Sequence, residues 1–288
     1  MLTGMGLINL ILVLFLGQSP WPAFVIWPEN ILTPSTTEKI EIAAERSAVL
    51  APRENIYFFR KNAEETQAIA SITKLMTALV FLKNNPGWEK VYKITAEDQL
   101  SGGRLSLFPG DELTVKDLFY TSLVASDNGA TIALVHASGL SEADFVAKMN
   151  DQARQIGLRQ TSFTEPTGLS EQNISTAREV AQLAKAAFDF PEIREATQRR
   201  EYRFLTQGGK EKFVESTDYL LFTEGDTLFP VQAGKTGFTD KAGYCFVGLF
   251  KNDTGREIIS VVLNSAGKNE RFQESKKLIK WVFTNYSW

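Results

Sequence analysis

The chain has 288 residues, 43% of them hydrophobic and 23% charged, with a formal net charge of −3. That is enough apolar material for one large domain or two modest ones, and a charge balance with no basic run, which gives no case for nucleic acid. A single cysteine, Cys245, excludes an internal disulfide and a cysteine-cluster metal site, and a single histidine, His136, excludes two-histidine metal motifs.

Residues 1–34 stand apart. The run Gly6-Leu7-Ile8-Asn9-Leu10-Ile11-Leu12-Val13-Leu14-Phe15-Leu16-Gly17 is apolar apart from Asn9, a length that suits the core of a signal peptide better than a full membrane span. Pro20, Pro22 and Pro28 interrupt the next stretch, and no lysine or arginine precedes Lys39. The segment reads as an export signal or an uncleaved membrane anchor. Residues 40–288 are then expected in the periplasm or on the outer face of the cytoplasmic membrane.

Ala48-Val49-Leu50-Ala51 and Ile56-Tyr57-Phe58-Phe59 flank the turn-rich Pro52-Arg53-Glu54-Asn55 and predict a β-hairpin. From 71 to about 196 the signals are mostly helical. Residues 71–83 form an amphipathic helix-compatible run that stops before Asn84-Asn85-Pro86-Gly87. Thr114 with Asp117, Ser141 with Asp144 and Thr176 with Glu179 have the spacing of capping boxes, each opening a helix. Phe108-Pro109-Gly110 and Glu165-Pro166-Thr167-Gly168 read as turns. Strand patterns return after Tyr202: 244–250 and 258–263 are apolar β-type runs joined by Asn252-Asp253-Thr254-Gly255. Residues 270–283 close the chain as a helix. Strands from both ends with helices between them predict an α/β (α+β) fold: an antiparallel sheet flanked by helices, with an inserted all-helical subdomain.

The chemistry starts at Ser71 and Lys74, three positions apart and therefore on one helix face. A neutral Lys74 would deprotonate Ser71, and a lysine becomes neutral near pH 7 when it is buried or beside a second cation. The spacing alone is weak: composition gives about one chance match in a chain of this size, and Ser265-Ala266-Gly267-Lys268 is a second, read as a polar loop. Two further motifs supply what is missing. Ser126-Asp127-Asn128 precedes the helix that carries His136, and Lys235-Thr236-Gly237 lies just before the strand at Tyr244. They offer a second hydroxyl and the second cation. His136, in an apolar helical run, reads as structural, and Cys245, in an apolar strand, reads as a buried hydrophobe.

Ser71-x-x-Lys74, Ser126-x-Asn128 and Lys235-Thr236-Gly237 in this order resemble the signature of the penicillin-recognising serine enzymes. Ala70-Ser71-Ile72-Thr73-Lys74-Leu75-Met76-Thr77, Ser175-Thr176-Ala177-Arg178 and Lys235-Thr236-Gly237-Phe238-Thr239 are similar to the serine-type D-alanyl-D-alanine carboxypeptidases, the low-molecular-mass penicillin-binding proteins. Glu165-Pro166-Thr167-Gly168-Leu169 most resembles the branch that includes D-alanyl-D-alanine endopeptidases, and the likeness runs from about 48 to 283. The resemblance implies a DD-peptidase/β-lactamase-like fold, peptidoglycan stem peptides as substrates, β-lactams as covalent inhibitors, and no metal or cofactor. It implies Ser71 as nucleophile, Lys74 as base with its pKa held down by Lys235, and Ser126 as proton relay to the leaving amine. Asn128 would hold the peptide and orient Lys74. Lys235 and Thr236 would bind the terminal carboxylate, with Gly237 keeping the strand edge bare. The backbone N–H groups of Ser71 and Phe238 would form the oxyanion hole. The chain departs from the pattern at Ser216-Thr217-Asp218, where the family often has Asn-Thr-Asn.

A class A β-lactamase would carry a deacylating Glu-x-x-Leu-Asn motif, and Glu97-x-x-Leu100-Ser101 fails at its last position. A non-catalytic penicillin-binding module would have lost a catalytic residue, whereas all seven motif positions are present. Carboxypeptidase and endopeptidase share one set of motifs and stay open as alternatives at this point.

Overall fold

The computed structural model describes residues 40–99, 106–222 and 229–288. The leader expected over 1–34 lies outside them. Five strands form one antiparallel sheet: β1 (Arg46–Ala51), β2 (Ile56–Lys61), β9 (Val231–Thr239), β10 (Gly243–Lys251) and β11 (Glu257–Ser265). Their order is β2-β1-β11-β10-β9, so the first two strands of the chain pair with the last three. The two expected hairpins are both present: Val49 lies opposite Phe59, and Phe250 opposite Ile258.

The side-chain period of a strand divides this sheet between two cores. Ala48, Leu50, Val247, Leu249, Ile259 and Val261 face the larger cluster, shared with the helical block. Their neighbours Val49, Ala51, Phe246, Phe250, Ile258 and Val262 face the smaller one, closed by Phe272, Leu278, Ile279 and Val282 of α7 (Glu270–Asn285). Both faces are covered, so the central strands read as continuous apolar runs rather than alternating ones. Cys245 is fully buried among them, and burial pushes its thiol up to about 11.

Between β2 and β9 lie α1 (Lys74–Lys83), α2 (Val115–Val124), α3 (Asn128–Ala137), α4 (Glu142–Gln155), α5 (Ala177–Phe188) and α6 (Pro191–Gln198). This block also holds three two-stranded ladders: β3 (Gln67–Ala68) with β6 (Ile174–Ser175), β4 (Val91–Lys93) with β5 (Glu112–Thr114), and β7 (Glu201–Leu205) with β8 (Glu211–Glu215). β4, β5 and β6, of two or three residues each, are too short to interrupt the stretch read as helical, whereas β7 and β8 fall about where strand patterns were expected to return. The expected caps form. Thr114, Ser141 and Thr176 accept the backbone N–H of Asp117, Asp144 and Glu179. Only Thr114 and Asp117 close a reciprocal box, because the Glu179 carboxylate turns away to the backbone N–H groups of Arg159 and Gln160.

The run at 71–83 departs from expectation. Residues 70–73 form a 3₁₀ turn and α1 starts at Lys74. Every residue from 72 to 81 is buried, so the helix has no polar face. It lies inside the block against α3, α4 and α5, where an amphipathic surface helix would meet water.

Candidate active site

Ser71 sits in the 3₁₀ turn that leads into α1, half-buried, behind an Ala70 held at φ +47°. A non-glycine residue in that region is strained and marks a backbone bent for a purpose. What holds the bend is the 165–173 loop. The Glu165 carboxylate accepts the backbone N–H groups of Thr167 (2.6 Å), Gly168 (2.6 Å) and Ser170 (3.3 Å) and the Asn173 amide (2.8 Å). The tight loop presses Gly168 against Ala70: a Cβ at Gly168 would fall 2.1 Å from the Ala70 carbonyl oxygen and 2.8 Å from the Ser71 nitrogen. Ile69 N–H donates to the Asn173 carbonyl (3.1 Å), closing the other side of the turn.

Lys74 is 1% exposed. Its Nζ lies 3.1 Å from Ser71 Oγ, 2.7 Å from Asn128 Oδ1 and 2.6 Å from the Thr167 carbonyl oxygen. A neutral amine has two N–H donors and one lone pair. Asn128 and Thr167 take the two donors, which leaves the lone pair for the Ser71 hydroxyl proton. Burial pulls Lys74 down to about 7, and the charges of Glu165 and Asp127 pull the other way and lose. Burial, not a second cation, is therefore the first cause of its low value, a correction to the expectation that Lys235 holds it down.

Ser126 occupies the bend between α2 and α3, also left-handed at φ +58°. Asp127 fixes this bend. One carboxylate oxygen caps α3 through Ala130 N–H (2.8 Å) and the other accepts Ser106 N–H (2.7 Å). Lys235 lies on β9, just before the strand that carries Tyr244, is 1% exposed, and donates to Ser126 Oγ (2.7 Å) and to the Thr236 carbonyl (3.1 Å). Its ammonium is disfavoured by burial first, then by repulsion from Lys74 and Arg271. β9 is an edge strand, and Gly237 lets it cross the 3₁₀ turn at Ser71: a Cβ there would lie 2.8 Å from the Ile69 carbonyl oxygen and 3.2 Å from the Ser71 nitrogen. Thr236 Oγ1 is 2.6 Å from Thr217 Oγ1, and Phe238 is half-exposed with its ring 4.4 Å from that of Tyr244.

One cleft is lined by Ser71, Ser126, Asn128, Thr236, Gly237 and Phe238. The structure thus gathers in one place three motifs from distant parts of the chain. Lys74 and Lys235 stand behind the cleft wall. The family model for D-alanyl-D-alanine carboxypeptidases matches residues 33–267. The chain belongs to the D-alanyl-D-alanine carboxypeptidase family. A Bacillus subtilis member, the D-alanyl-D-alanine carboxypeptidase DacF, is 33% identical over 256 residues, 85% of this chain; the chain spans 64% of that relative's length. A Haemophilus influenzae D-alanyl-D-alanine endopeptidase is 33% identical over 243 residues, 80% of this chain and 82% of its own. Penicillin-binding protein D2 of Listeria monocytogenes, solved with ampicillin bound, superposes with a TM-score of 0.74 at 29% identity, covering 86% of this chain and all of the other.

Within this family frame, Arg271 and Tyr219 escaped the sequence reading, whereas Thr217 and Asp218 belong to the departure already noted. Arg271 of α7 is 4% exposed, lines the cleft, and donates to the carbonyls of Gly237 (3.1 Å) and Cys245 (3.3 Å). Thr217 and Tyr219 line the same end. Asp218 is 2% exposed, with one carboxylate oxygen where a Gly234 Cβ would fall at 2.5 Å; burial pushes it up to about 7 against the pull of Arg271 and Lys235. The departure at Asp218 thus lies beneath the edge strand, not in the cleft lining. No local signal marked Arg271, because an arginine in a closing helix has no spacing tied to the other motifs. His136 binds Asp98 (2.7 Å), as a structural residue does.

Proposed function

We propose that the chain is a serine-type D-alanyl-D-alanine carboxypeptidase that acts on peptidoglycan stem peptides through an acyl-enzyme at Ser71. The observation that carries this reading is the pair of amine–hydroxyl contacts, Lys74 to Ser71 and Lys235 to Ser126, beside one cleft. Ser71 Oγ attacks the carbonyl of the penultimate D-alanine while its proton passes to Lys74 Nζ. The tetrahedral oxyanion lies against the backbone N–H groups of Ser71 and Phe238. Collapse breaks the C–N bond as Ser126 hands a proton to the leaving amine and is reprotonated with the proton that Lys74 took from Ser71, so Lys74 is a free amine again and Lys235 holds the Ser126 hydroxyl in place. Water then attacks the ester, Lys74 takes its proton, and that proton returns to Ser71 Oγ as the shortened peptide leaves. Thr236 and Arg271 receive the terminal carboxylate, since Lys235 is committed to Ser126. Asn128 orients Lys74 and the peptide.

A second reading, D-alanyl-D-alanine endopeptidase, is supported by the Haemophilus influenzae relative that carries that name. β-Lactams would acylate Ser71 in the same way, as the ampicillin-bound Listeria protein suggests. Residues 1–34 would export the chain to the wall compartment or tether it to the membrane; among the described residues no helix is long and apolar enough to cross a bilayer. The test is a labelled penicillin followed by natural substrates. Wild type is expected to take up label and to release D-alanine from a pentapeptide, and Ser71→Ala to do neither. Label uptake by Ser71→Ala at the wild-type rate would end the reading. Conversion of cross-linked dimers to monomers without D-alanine release would favour the endopeptidase.

A further inference from the structure

The cleft does not end where a D-alanine leaving group would. Past Thr236 and Gly237 it is lined by Arg271, Tyr219 and Lys268, and no acidic side chain lines it among the described residues. Lys268 belongs to the second Ser-x-x-Lys match, and the structure separates that pair. Ser265 is buried at the end of β11 and donates to Glu274 (2.8 Å), whereas Lys268 is exposed on the cleft. The ammonium of Lys268 lies 4.5 Å from the Tyr219 ring centroid and donates to its hydroxyl. The Tyr219 ring is in turn packed 5.9 Å from that of Phe272. A lysine parked over an aromatic ring has given up part of its rotamer freedom before a ligand arrives. Glu270, the nearest acid in sequence, has its carboxylate folded over Gly267 instead.

We infer that Lys268, seated on Tyr219, is a specificity-determining residue that receives a second acidic group on the leaving side of the scissile bond. This rests on the DD-peptidase reading above. There, Thr236 and Arg271 satisfy the single carboxylate of a leaving D-alanine, and nothing on D-alanine is left for Lys268. A leaving residue that carries a further carboxylate uses both cations. Among leaving residues, one with an acidic side chain beside its own carboxylate is therefore favoured over D-alanine.

The experiment compares three acylated peptides with one donor side, ending in D-Ala-D-Ala, D-Ala-D-Glu and D-Ala-D-Lys, on wild type, Lys268→Ala and Lys268→Glu. In wild type, kcat/KM for the D-glutamate peptide should exceed that for the D-lysine peptide. Lys268→Ala should lower the ratio of D-glutamate to D-alanine cleavage about threefold, the size of one exposed ion pair. Lys268→Glu should lower it about tenfold and raise D-lysine cleavage. Raising the salt should shrink these differences. Ratios that stay fixed, whether the rates fall together or not at all, overturn the inference. Normal labelled-penicillin uptake marks that failure as one of specificity alone. Loss of cleavage and label in wild type would overturn the underlying reading with it.

Discussion

In the proposed mechanism Lys74 has to be neutral to accept the Ser71 proton, and burial favours that neutral form. Its fall from an ordinary 10.5 to about 7 amounts to a bias on the order of 5 kcal/mol against the ammonium form. Burial outweighs two carboxylates, Glu165 and Asp127, whose charges favour the ammonium. Glu165 therefore does two things that pull apart. It braces the loop behind Ser71, and it holds more of Lys74 in the ammonium form at low pH. The active form is the free amine, so acylation should climb with pH through about 7 and lose about tenfold per unit well below it. Glu165→Gln removes the negative charge, lowers the Lys74 pKa and leaves the free amine present in more acidic solution. The acid limb of kcat/KM for penicillin acylation should move down by about half a unit to one unit, a shift of about 1 kcal/mol. An acid limb that stays in place or moves up would show that this charge does not reach Lys74.

At the scale of elements, the site is the place where the 165–173 loop, the 3₁₀ turn and the edge strand β9 meet. Two glycines make the approach possible, Gly237 on the strand and Gly168 on the loop. Gly168→Ala meets two obstacles at once: a φ of +89°, and a methyl 2.1 Å from the Ala70 carbonyl oxygen. The backbone has to move, and Ser71 moves with it. Displacement of a reacting atom by about 1 Å costs on the order of 10²-fold in rate. We expect acylation to fall by about that factor, with a stability loss of about 1–3 kcal/mol, checked by stopped-flow labelling and by urea unfolding. The motifs that meet here were legible in the sequence because each is short and carries its own chemistry. Arg271 and the Glu165 network were not. Arg271 reaches the site only because β11 and α7 return the chain to β9, and Glu165 acts through backbone N–H groups that no residue type announces. The boundary of α1 was misread for a related reason: helix-forming residues continue smoothly through Thr73, and the 3₁₀ turn is imposed by the loop packed on it.

The whole molecule keeps its chemistry and its closing core on opposite faces of the sheet. The cleft opens between β9 and the helical block, whereas Phe272, Leu278, Ile279 and Val282 of α7 pack on Phe246, Phe250, Ile258 and Val262. α7 touches both: Arg271, in its first turn, lines the cleft, and Leu278 lies two turns further on with no exposure. If the sheet transmitted only rigid support, a cavity at Leu278 should cost stability without moving the nucleophile. Leu278→Ala should destabilise the fold by about 2–5 kcal/mol, the range for a buried leucine truncated in a core that relaxes partially. At a temperature where the variant is fully folded, the acylation rate at Ser71 should remain within about twofold of wild type, because neither the 165–173 loop nor the Lys74 contacts lie on that face. Denaturant unfolding gives the first quantity and labelled-penicillin kinetics the second. A loss of acylation in proportion to stability would mean instead that α7 and the cleft unfold together as one unit, with the placement of Arg271 depending on the core beneath it.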